Sequence, residues 1–276
     1  MWEQRYDALT PVRSEGNTRY YDSHQLRRLL NIVSLSHLDY KISELCSLPD
    51  EKLFQLVAAT GNKASAGELN DYYISQLIAA GMTYDEAYFE KIFSHCLLSY
   101  GVKDAYLKLL YPVLVRIGIL WACDTVPPAQ EHFIMNLVRQ KLCTAIDLLP
   151  QPAASSSTWL LFLPEDEFHE TGLLFASYLI RLLGDKVIYL GNNLPYASLQ
   201  EAVKVTRPDN LLLFLVRNDF TENYQEYIDR LSNDFKKKKI FIAGSDKTIH
   251  PLRKRANTIW LTSAEALEQQ FRDSYV

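Results

Sequence analysis

The sequence predicts a multidomain protein with three parts: a short α+β segment, a four-helix bundle and a doubly wound α/β domain with a five-stranded parallel sheet. Short aliphatic runs alternate with amphipathic stretches after residue 157, as they do in parallel sheets covered by helices on both faces. Longer amphipathic stretches with glycine or proline at their ends precede them, which is typical of a helix bundle. We therefore expect domains at residues 1–49, 50–152 and 157–276.

The composition is that of a folded globular protein. Hydrophobic residues make up 48% and charged residues 22% of the chain, which excludes a disordered or collagen-like polymer. Arg116 interrupts the longest apolar segment and no signal-peptide pattern is present, so we expect a cytoplasmic protein with no membrane partner. The cysteines lie far apart without a C-x-x-C pair, which predicts reduced thiols. The net charge of -4 restricts nucleic-acid binding to a local patch.

The first segment contains such a patch. Its turn-rich loop, TPVRSEGNTRYY, precedes an amphipathic helix, and the arginines Arg13, Arg19, Arg27 and Arg28 stand against only two acidic residues in the same stretch. Guanidinium groups, tyrosine hydroxyls and backbone amides in a turn are suitable donors to phosphate. The alternative is an ordinary charged loop whose tyrosines pack on the adjacent helix.

The bundle helices are predicted at residues 67–81, 83–101, 102–122 and 127–149. In the third of them, Leu110, Leu114, Ile117 and Trp121 share one face, and Pro112 is expected to kink the helix.

The α/β part should bind its ligand at the carboxyl ends of the strands. After the first strand, the loop PEDEFHETG contains an E-x-H-x-x-G pattern formed by Glu167, His169 and Gly172. An imidazole there suits a transition metal, a carboxylate two residues earlier can orient its ring, and a glycine admits a ligand close to the backbone. The residues alone leave a second interpretation open, a solvated histidine at a helix start where acidic residues are favoured.

This loop resembles the D-x-H-x-x-G loop of cobalamin-binding domains, which have this fold and commonly follow a four-helix bundle that caps the corrin. The resemblance implies that His169 is the lower axial ligand of cobalt, with Glu167 as its hydrogen-bond partner. It also implies that Gly172 and Gly244 lie beside the nucleotide tail. Three departures are visible: Glu167 replaces Asp, the third strand has no serine, and Gly244 is followed by Ser245.

In that third strand, Phe214 or Leu215 is expected to add bulk where the base of the nucleotide tail would lie.

A second motif lies in the bundle, where Trp121 is followed after nine residues by Glu131 and His132. It resembles the W-x9-E-H pattern of cobalamin-dependent photoreceptor regulators. The resemblance implies that these three residues line the upper axial face, around the adenosyl group. The alternative is a core tryptophan followed by polar residues in the first turn of the next helix, where they are ordinary.

The N-terminal segment resembles the later part of a MerR-type winged-helix domain. The resemblance implies DNA contacts from Arg13, Arg19 and Tyr21 in the wing, and from Arg5 and Tyr6 near the end of the recognition helix. The family's first helix precedes the position of Trp2, so we expect a truncated helix-turn-helix in this polypeptide.

Together these resemblances imply a ligand-responsive transcriptional regulator, similar to light-sensing repressors of carotenoid synthesis, that is not an enzyme. Its expected partners are DNA, adenosylcobalamin or methylcobalamin, and further copies of the chain in a dimer or tetramer. Two alternatives stay open: a corrinoid carrier for a methyltransferase, and a degenerate scaffold that serves only oligomerisation. The basic runs at Lys236–Lys239 and Arg253–Arg255 are expected to be solvated surface.

Overall fold

The computed structural model describes residues 5–6, 8–13, 17, 19–21, 23–36, 40–59, 66–122, 128–153, 156–216 and 224–273. The chain forms two compact units, Met1–Val138 and Arg139–Val276. None of the helices in the described ranges has the length and apolarity that a membrane crossing requires. The domain boundaries expected at residues 49 and 152 stay a prediction.

A small hairpin opens the first unit. Its strands are β1 (Val12–Arg13) and β2 (Arg19–Tyr20), which pair antiparallel with Arg13 opposite Arg19. Three helices follow: α1 (Ser23–Ser36), α2 (Ile42–Ser47) and α3 (Asp50–Ala59).

Arg28 on α1 holds this region together from the inside. Its Nε donates to the carbonyl oxygen of Ala8 at 2.9 Å, and its terminal nitrogens donate to those of Cys46 at 2.7 Å and Leu48 at 2.9 Å. It also forms an ion pair with Asp50. Because a guanidinium group carries five donors in one plane, a single side chain ties the segment before the hairpin to α2 and α3. Arg28 is therefore an internal residue of the arginine-rich segment.

The predicted bundle helices are present in the first unit, although the last of them runs past its end. They are α4 (Ala66–Met82), α5 (Glu86–Ala105), α6 (Tyr111–Ala122) and α7 (Pro128–Asp147), with a π-helical turn at Tyr106–Leu110. A Cβ atom on Gly81 would lie 2.1 Å from Cδ1 of Ile134, so a side chain at this position would displace that of Ile134 on α7.

The helix break predicted between residues 101 and 102 is present as a kink at Gly101, where the backbone of α5 is not helical. Gly101 sits inside this helix with φ 72°, a conformation that glycine adopts without strain. The π-helical turn follows, and its end is marked by the Tyr111 amide, which donates to the carbonyl of Tyr106. Proline cannot donate to the carbonyl four residues earlier and its ring collides with it. The wider turn directly before Pro112 accommodates the proline within a continuing helix.

The second unit is a five-stranded parallel sheet with helices between its strands, which confirms the predicted fold class. The strands are β3 (Thr158–Pro164), β4 (Lys186–Leu194), β5 (Asn210–Leu215), β6 (Lys239–Gly244) and β7 (Thr258–Leu261), in the order β4-β3-β5-β6-β7. The helices are α8 (Thr171–Leu182), α9 (Tyr196–Thr206), α10 (Tyr224–Asp234), α11 (Asp246–Ile249) and α12 (Ala264–Asp273).

Each strand of the sheet contributes to two layers of core, because successive side chains point to opposite faces. On one face, Leu211, Leu213 and Leu215 of β5 pack in a cluster with buried residues of α9 and α10, such as Leu199 and Ile228. The other face is covered by α8, which packs against β3, β4 and β5. The near-continuous apolar strands are therefore explained by burial on both sides.

Candidate functional site

The strand order reverses its direction at β3, which lies between β4 and β5. In open α/β sheets this reversal leaves a crevice at the carboxyl ends of the two strands, and ligands bind there. Here the crevice is bordered by the loop of residues 165–170 after β3 and by Val216, the residue after β5. The E-x-H-x-x-G pattern therefore lies where the fold itself places a ligand.

Glu167 is the anchor of this loop, and its side chain is fully buried. One carboxylate oxygen accepts the backbone N–H of Phe168 at 3.0 Å and of His169 at 3.1 Å. The other oxygen accepts the backbone N–H of Val216 at 3.1 Å. A buried carboxylate is costly unless hydrogen bonds stabilise its charge, and this one ties the loop to the end of β5. The side chain of glutamate is one methylene longer than that of aspartate, and its two oxygens reach both the loop amides and the amide of Val216.

His169 completes the pair. Its Nδ1 lies 2.6 Å from Oε1 of Glu167, and its side chain is 50% exposed. The carboxylate acceptor favours the tautomer with the proton on Nδ1, which leaves the lone pair on Nε2, the nitrogen that a metal would take. Phe168 and Val216, which both donate to Glu167, have exposed apolar side chains.

Glu170 is a residue of this loop that the sequence motif did not identify. It accepts a hydrogen bond from the Tyr189 hydroxyl at 2.9 Å and from Nδ2 of Asn192 at 3.3 Å, and Arg139 lies 3.6 Å away as an ion-pair partner. Burial and the hydrogen bond to Glu170 raise the pKa of Tyr189 far above its ordinary value, so the hydroxyl stays a donor. Glu170 thus ties the loop to β4, as Glu167 ties it to β5.

The two glycines of the expected tail groove both lie against other groups. A Cβ on Gly172 would be 2.7 Å from the ring of Phe214, and one on Gly244 would be 2.6 Å from the carbonyl oxygen of Leu215. Of the two residues expected to add bulk, Phe214 lies beside Gly172, whereas the Leu215 side chain belongs to the core on the opposite face of the sheet.

The bundle motif is described only in part. Trp121 lies in the last turn of α6, and its side chain is outside the described residues. Glu131 and His132 lie in the first turn of α7, where Glu131 is half-buried and His132 is exposed. Beside them, Gln130 is buried and donates from Nε2 to the carbonyl of Met82 at 2.6 Å. The joint role of Trp121, Glu131 and His132 stays a prediction.

The hairpin presents the predicted DNA contacts at the surface. Arg13 and Arg19 are exposed and form a cross-strand pair, so their side chains leave the same face of the hairpin. Arg13 donates to Oδ1 of Asn17 at 2.5 Å. Tyr21 is also exposed, and the guanidinium of Arg5 lies 5.4 Å from the centre of the Tyr6 ring. Two like charges opposite each other repel, and an anion between them removes that repulsion.

Comparison with known proteins matches two segments of the chain, the N-terminal segment and the helix bundle, to known families. Residues 1–47 match the MerR HTH family of regulatory proteins, and residues 73–144 match the B12 binding domain family. The HTH-type transcriptional repressor CarH of Myxococcus xanthus is 30% identical over 233 residues, which cover 83% of this chain and 77% of CarH. The chain belongs to the MerR-type transcriptional repressor family. Another member of the family, CarA of Myxococcus xanthus, is 27% identical over 230 residues, covering 83% of this chain and 74% of CarA.

Among solved structures, the monomethylamine corrinoid protein of Methanosarcina barkeri is similar with a TM-score of 0.54 and 17% identity. The similarity covers 74% of this chain and 99% of that protein, and it agrees with the fold described above.

The residues at the sheet edge fit the cofactor of this family. Binding of cobalt by a protein side chain would need a nitrogen with a free lone pair, and Nε2 of His169 has one when Nδ1 donates to Glu167. The exposed apolar side chains of Phe168 and Val216 suit contact with a flat macrocycle.

Proposed function

We propose that the protein is a cobalamin-sensing transcriptional regulator that binds the cofactor through His169 and binds DNA through the N-terminal hairpin. The observation that carries the first half is the hydrogen bond of 2.6 Å between Glu167 and His169 at the crevice where β3 and β5 end. A corrinoid carrier for a methyltransferase would also use such a pair, but it has no use for the exposed arginines of the hairpin.

His169 would hold cobalt through Nε2, and Glu167 would fix the orientation and basicity of the ring from the opposite side. Bound cobalamin would supply a cobalt ion that can exchange its ligands. The chain supplies the orientation: both carboxylate oxygens of Glu167 accept backbone N–H hydrogen bonds that hold the loop in place. Trp121, Glu131 and His132 are proposed as further cofactor-binding residues of the bundle.

A buried polar chain connects the helix after the hairpin to the bundle. Nε2 of Gln76 on α4 donates to Oδ1 of Asn31 on α1 at 3.1 Å, and the Tyr88 hydroxyl on α5 donates to Oε1 of Gln76 at 2.9 Å. Asn31 and Gln76 are both buried. Buried networks of this kind fix one relative placement of the helices that they join. We propose that α1 and the bundle therefore move together, which couples the hairpin to changes in the bundle.

The regulator is proposed to act as a dimer or tetramer in the cytoplasm. A single pair of hairpin arginines on a chain of net charge -4 gives weak binding, and joining two copies raises it through effective concentration. No catalytic role is proposed for any residue.

A corrinoid titration tests the cofactor site. The full chain is mixed with methylcobalamin, and the absorption spectrum is compared with those of His169→Ala and His250→Ala. His250 is an exposed histidine of the same unit and serves as the matched control. We expect the wild type and the control to show the same spectral change and His169→Ala to lose it. An unchanged spectrum in His169→Ala would overturn the assignment.

A mobility-shift titration with the upstream region of the gene tests DNA binding, with and without methylcobalamin. We expect binding that changes when the cofactor is added. Equal affinity under both conditions would contradict sensing, and no binding under either would contradict the DNA-binding role.

A further inference from the structure

The ring of Phe214 lies directly against the backbone of Gly172, in the first turn of α8. A Cβ placed on Gly172 would come within 2.7 Å of Cε1 and 3.0 Å of Cδ1 of that ring. Contacts this short are closer than van der Waals packing allows, so the ring already occupies the space that glycine leaves open.

The sheet holds the ring in this place. Leu213 and Leu215 face the α9 and α10 side of the sheet, so Phe214 between them faces α8. In the register of the sheet, Phe214 stands opposite Ala243, whose methyl group leaves room for a large neighbour. Phe214 is the penultimate residue of β5, which puts its ring at the carboxyl edge where the ligand crevice opens.

Gly244 on the neighbouring strand belongs to the other face of the sheet, because it stands opposite Leu215 in the register. A Cβ on Gly244, the last residue of β6, would lie 2.6 Å from the carbonyl oxygen of Leu215 and 3.3 Å from the side chain of Ile249. Ile249 is itself buried. On the α8 side, the groove is therefore filled at Gly172 by the ring of Phe214, and the contacts of Gly244 lie outside it.

This groove lies beside the proposed cobalt ligand, because Gly172 follows His169 by three residues. If a histidine were the lower axial ligand of cobalt, the substituents on the lower face of the corrin would point towards the part of the protein that carries this histidine. In cobalamin this substituent is a long chain that ends in a benzimidazole base. In cobinamide the same chain ends in a small amino alcohol. The base is larger than a phenyl ring and cannot share the groove with Phe214.

We infer that Phe214 is a specificity residue that discriminates among corrinoids by their lower base. Corrinoids without a base bind with the ring in place, whereas cobalamin binds only after the ring leaves Gly172. The inference rests on the proposed function of His169 and adds to it the class of corrinoid that this chain favours.

The experiment compares hydroxocobalamin with hydroxocobinamide by absorption titration of the full chain, in the wild type and in Phe214→Ala. Cobalamin must also release its own base from cobalt, but that cost is the same for both proteins and cancels in the comparison. We expect Phe214→Ala to tighten cobalamin binding about tenfold, since relief of overpacking is of this size. Cobinamide affinity should stay the same.

Two variants guard against a general loosening of the fold. Leu212→Ala removes a buried side chain from the same strand and the same face, and it should leave the ratio of the two affinities unchanged. Phe214→Leu, a smaller change, should give an intermediate gain for cobalamin. Equal shifts for both ligands, or no shift in either Phe214 variant, would overturn the inference. Failure of the wild type to bind either corrinoid would instead overturn the proposed function, and the inference with it.

Discussion

The two surfaces assigned to binding differ in how the chain supports them. At the sheet edge, one buried carboxylate accepts three backbone N–H groups and the His169 ring, so the loop is held by its own hydrogen bonds. At the hairpin, strands of two residues each present the exposed arginines Arg13 and Arg19. The surface at the sheet edge holds its side chains in fixed positions, whereas the hairpin surface presents positive charge. A preorganised site suits a metal ligand, whereas a charged surface suits a flexible polyanion.

The largest effect is expected from removing the Glu167 carboxylate that holds the loop at the sheet edge. Glu167→Ala leaves the N–H of Phe168, His169 and Val216 without their acceptor and frees the imidazole ring. Loss of such a partner of a metal ligand costs about 10- to 100-fold in affinity, and we expect that loss for methylcobalamin in an absorption titration. Glu165→Ala, an exposed carboxylate of the same loop, is the control and should bind normally. Normal binding by Glu167→Ala would show that the loop needs no anchor.

The next prediction distinguishes the two surfaces by the salt dependence of DNA binding. Removing both hairpin arginines, in Arg13→Ala with Arg19→Ala, should weaken DNA binding about tenfold and lower the slope of log affinity against log salt by about 2. Corrinoid affinity of the same variant should not change. The charge-matched control is Lys52→Ala with Lys91→Ala, two exposed lysines on α3 and α5. Mobility shifts over a salt series measure the slope. An equal loss in the control would mean that only total charge matters.

A third change tests the polar chain that joins the hairpin's helix to the bundle. Gln76→Leu leaves the Asn31 side chain buried with one partner fewer, and we expect the free energy of unfolding to fall by about 1–3 kcal/mol. Urea denaturation measures the difference. Asn31→Leu combined with Gln76→Leu should recover part of the loss, because both buried polar groups are then gone. Equal stability of wild type and Gln76→Leu would contradict the assigned role.

The smallest effect concerns the lysine run. Lys236→Ala with Lys237→Ala changes two exposed cations far along the chain from the hairpin, and we expect DNA affinity to change less than about twofold because solvated charges are screened. A mobility shift at fixed salt measures it. A loss as large as that of the hairpin variant would place a second DNA surface on the α/β unit.

Much of the fold was predictable because burial leaves a periodic trace in the sequence. The apolar strands and the E-x-H-x-x-G loop placed Glu167 and His169 at the ligand edge, and the structure joins them by a hydrogen bond. The role of Glu170 was not predictable, since its partner Tyr189 is brought near only by the pairing of β3 with β4. Arg28 looked like its neighbouring arginines, but tertiary contacts turn it inward.

The position of Phe214 shows the same limit. The sequence predicted a bulky side chain at the end of β5, from either Phe214 or Leu215. Which of the two lies in the groove depends on the face of the strand from which each side chain extends. Only the packing of α8 and the sheet shows that Phe214 lies on Gly172.

The π-helical turn at Tyr106–Leu110 determines how α6 is rotated about its own axis. Val113 and Ile117 on α6 are buried in the orientation that follows this turn. Since each residue of an α-helix advances the chain by about 100° around the axis, deletion of one residue within the turn would rotate everything after it by that angle. The apolar face of α6 would then point away from its present neighbours. The one extra residue of the π-helical turn thus determines which face of α6, the helix that carries Trp121, points towards its neighbours.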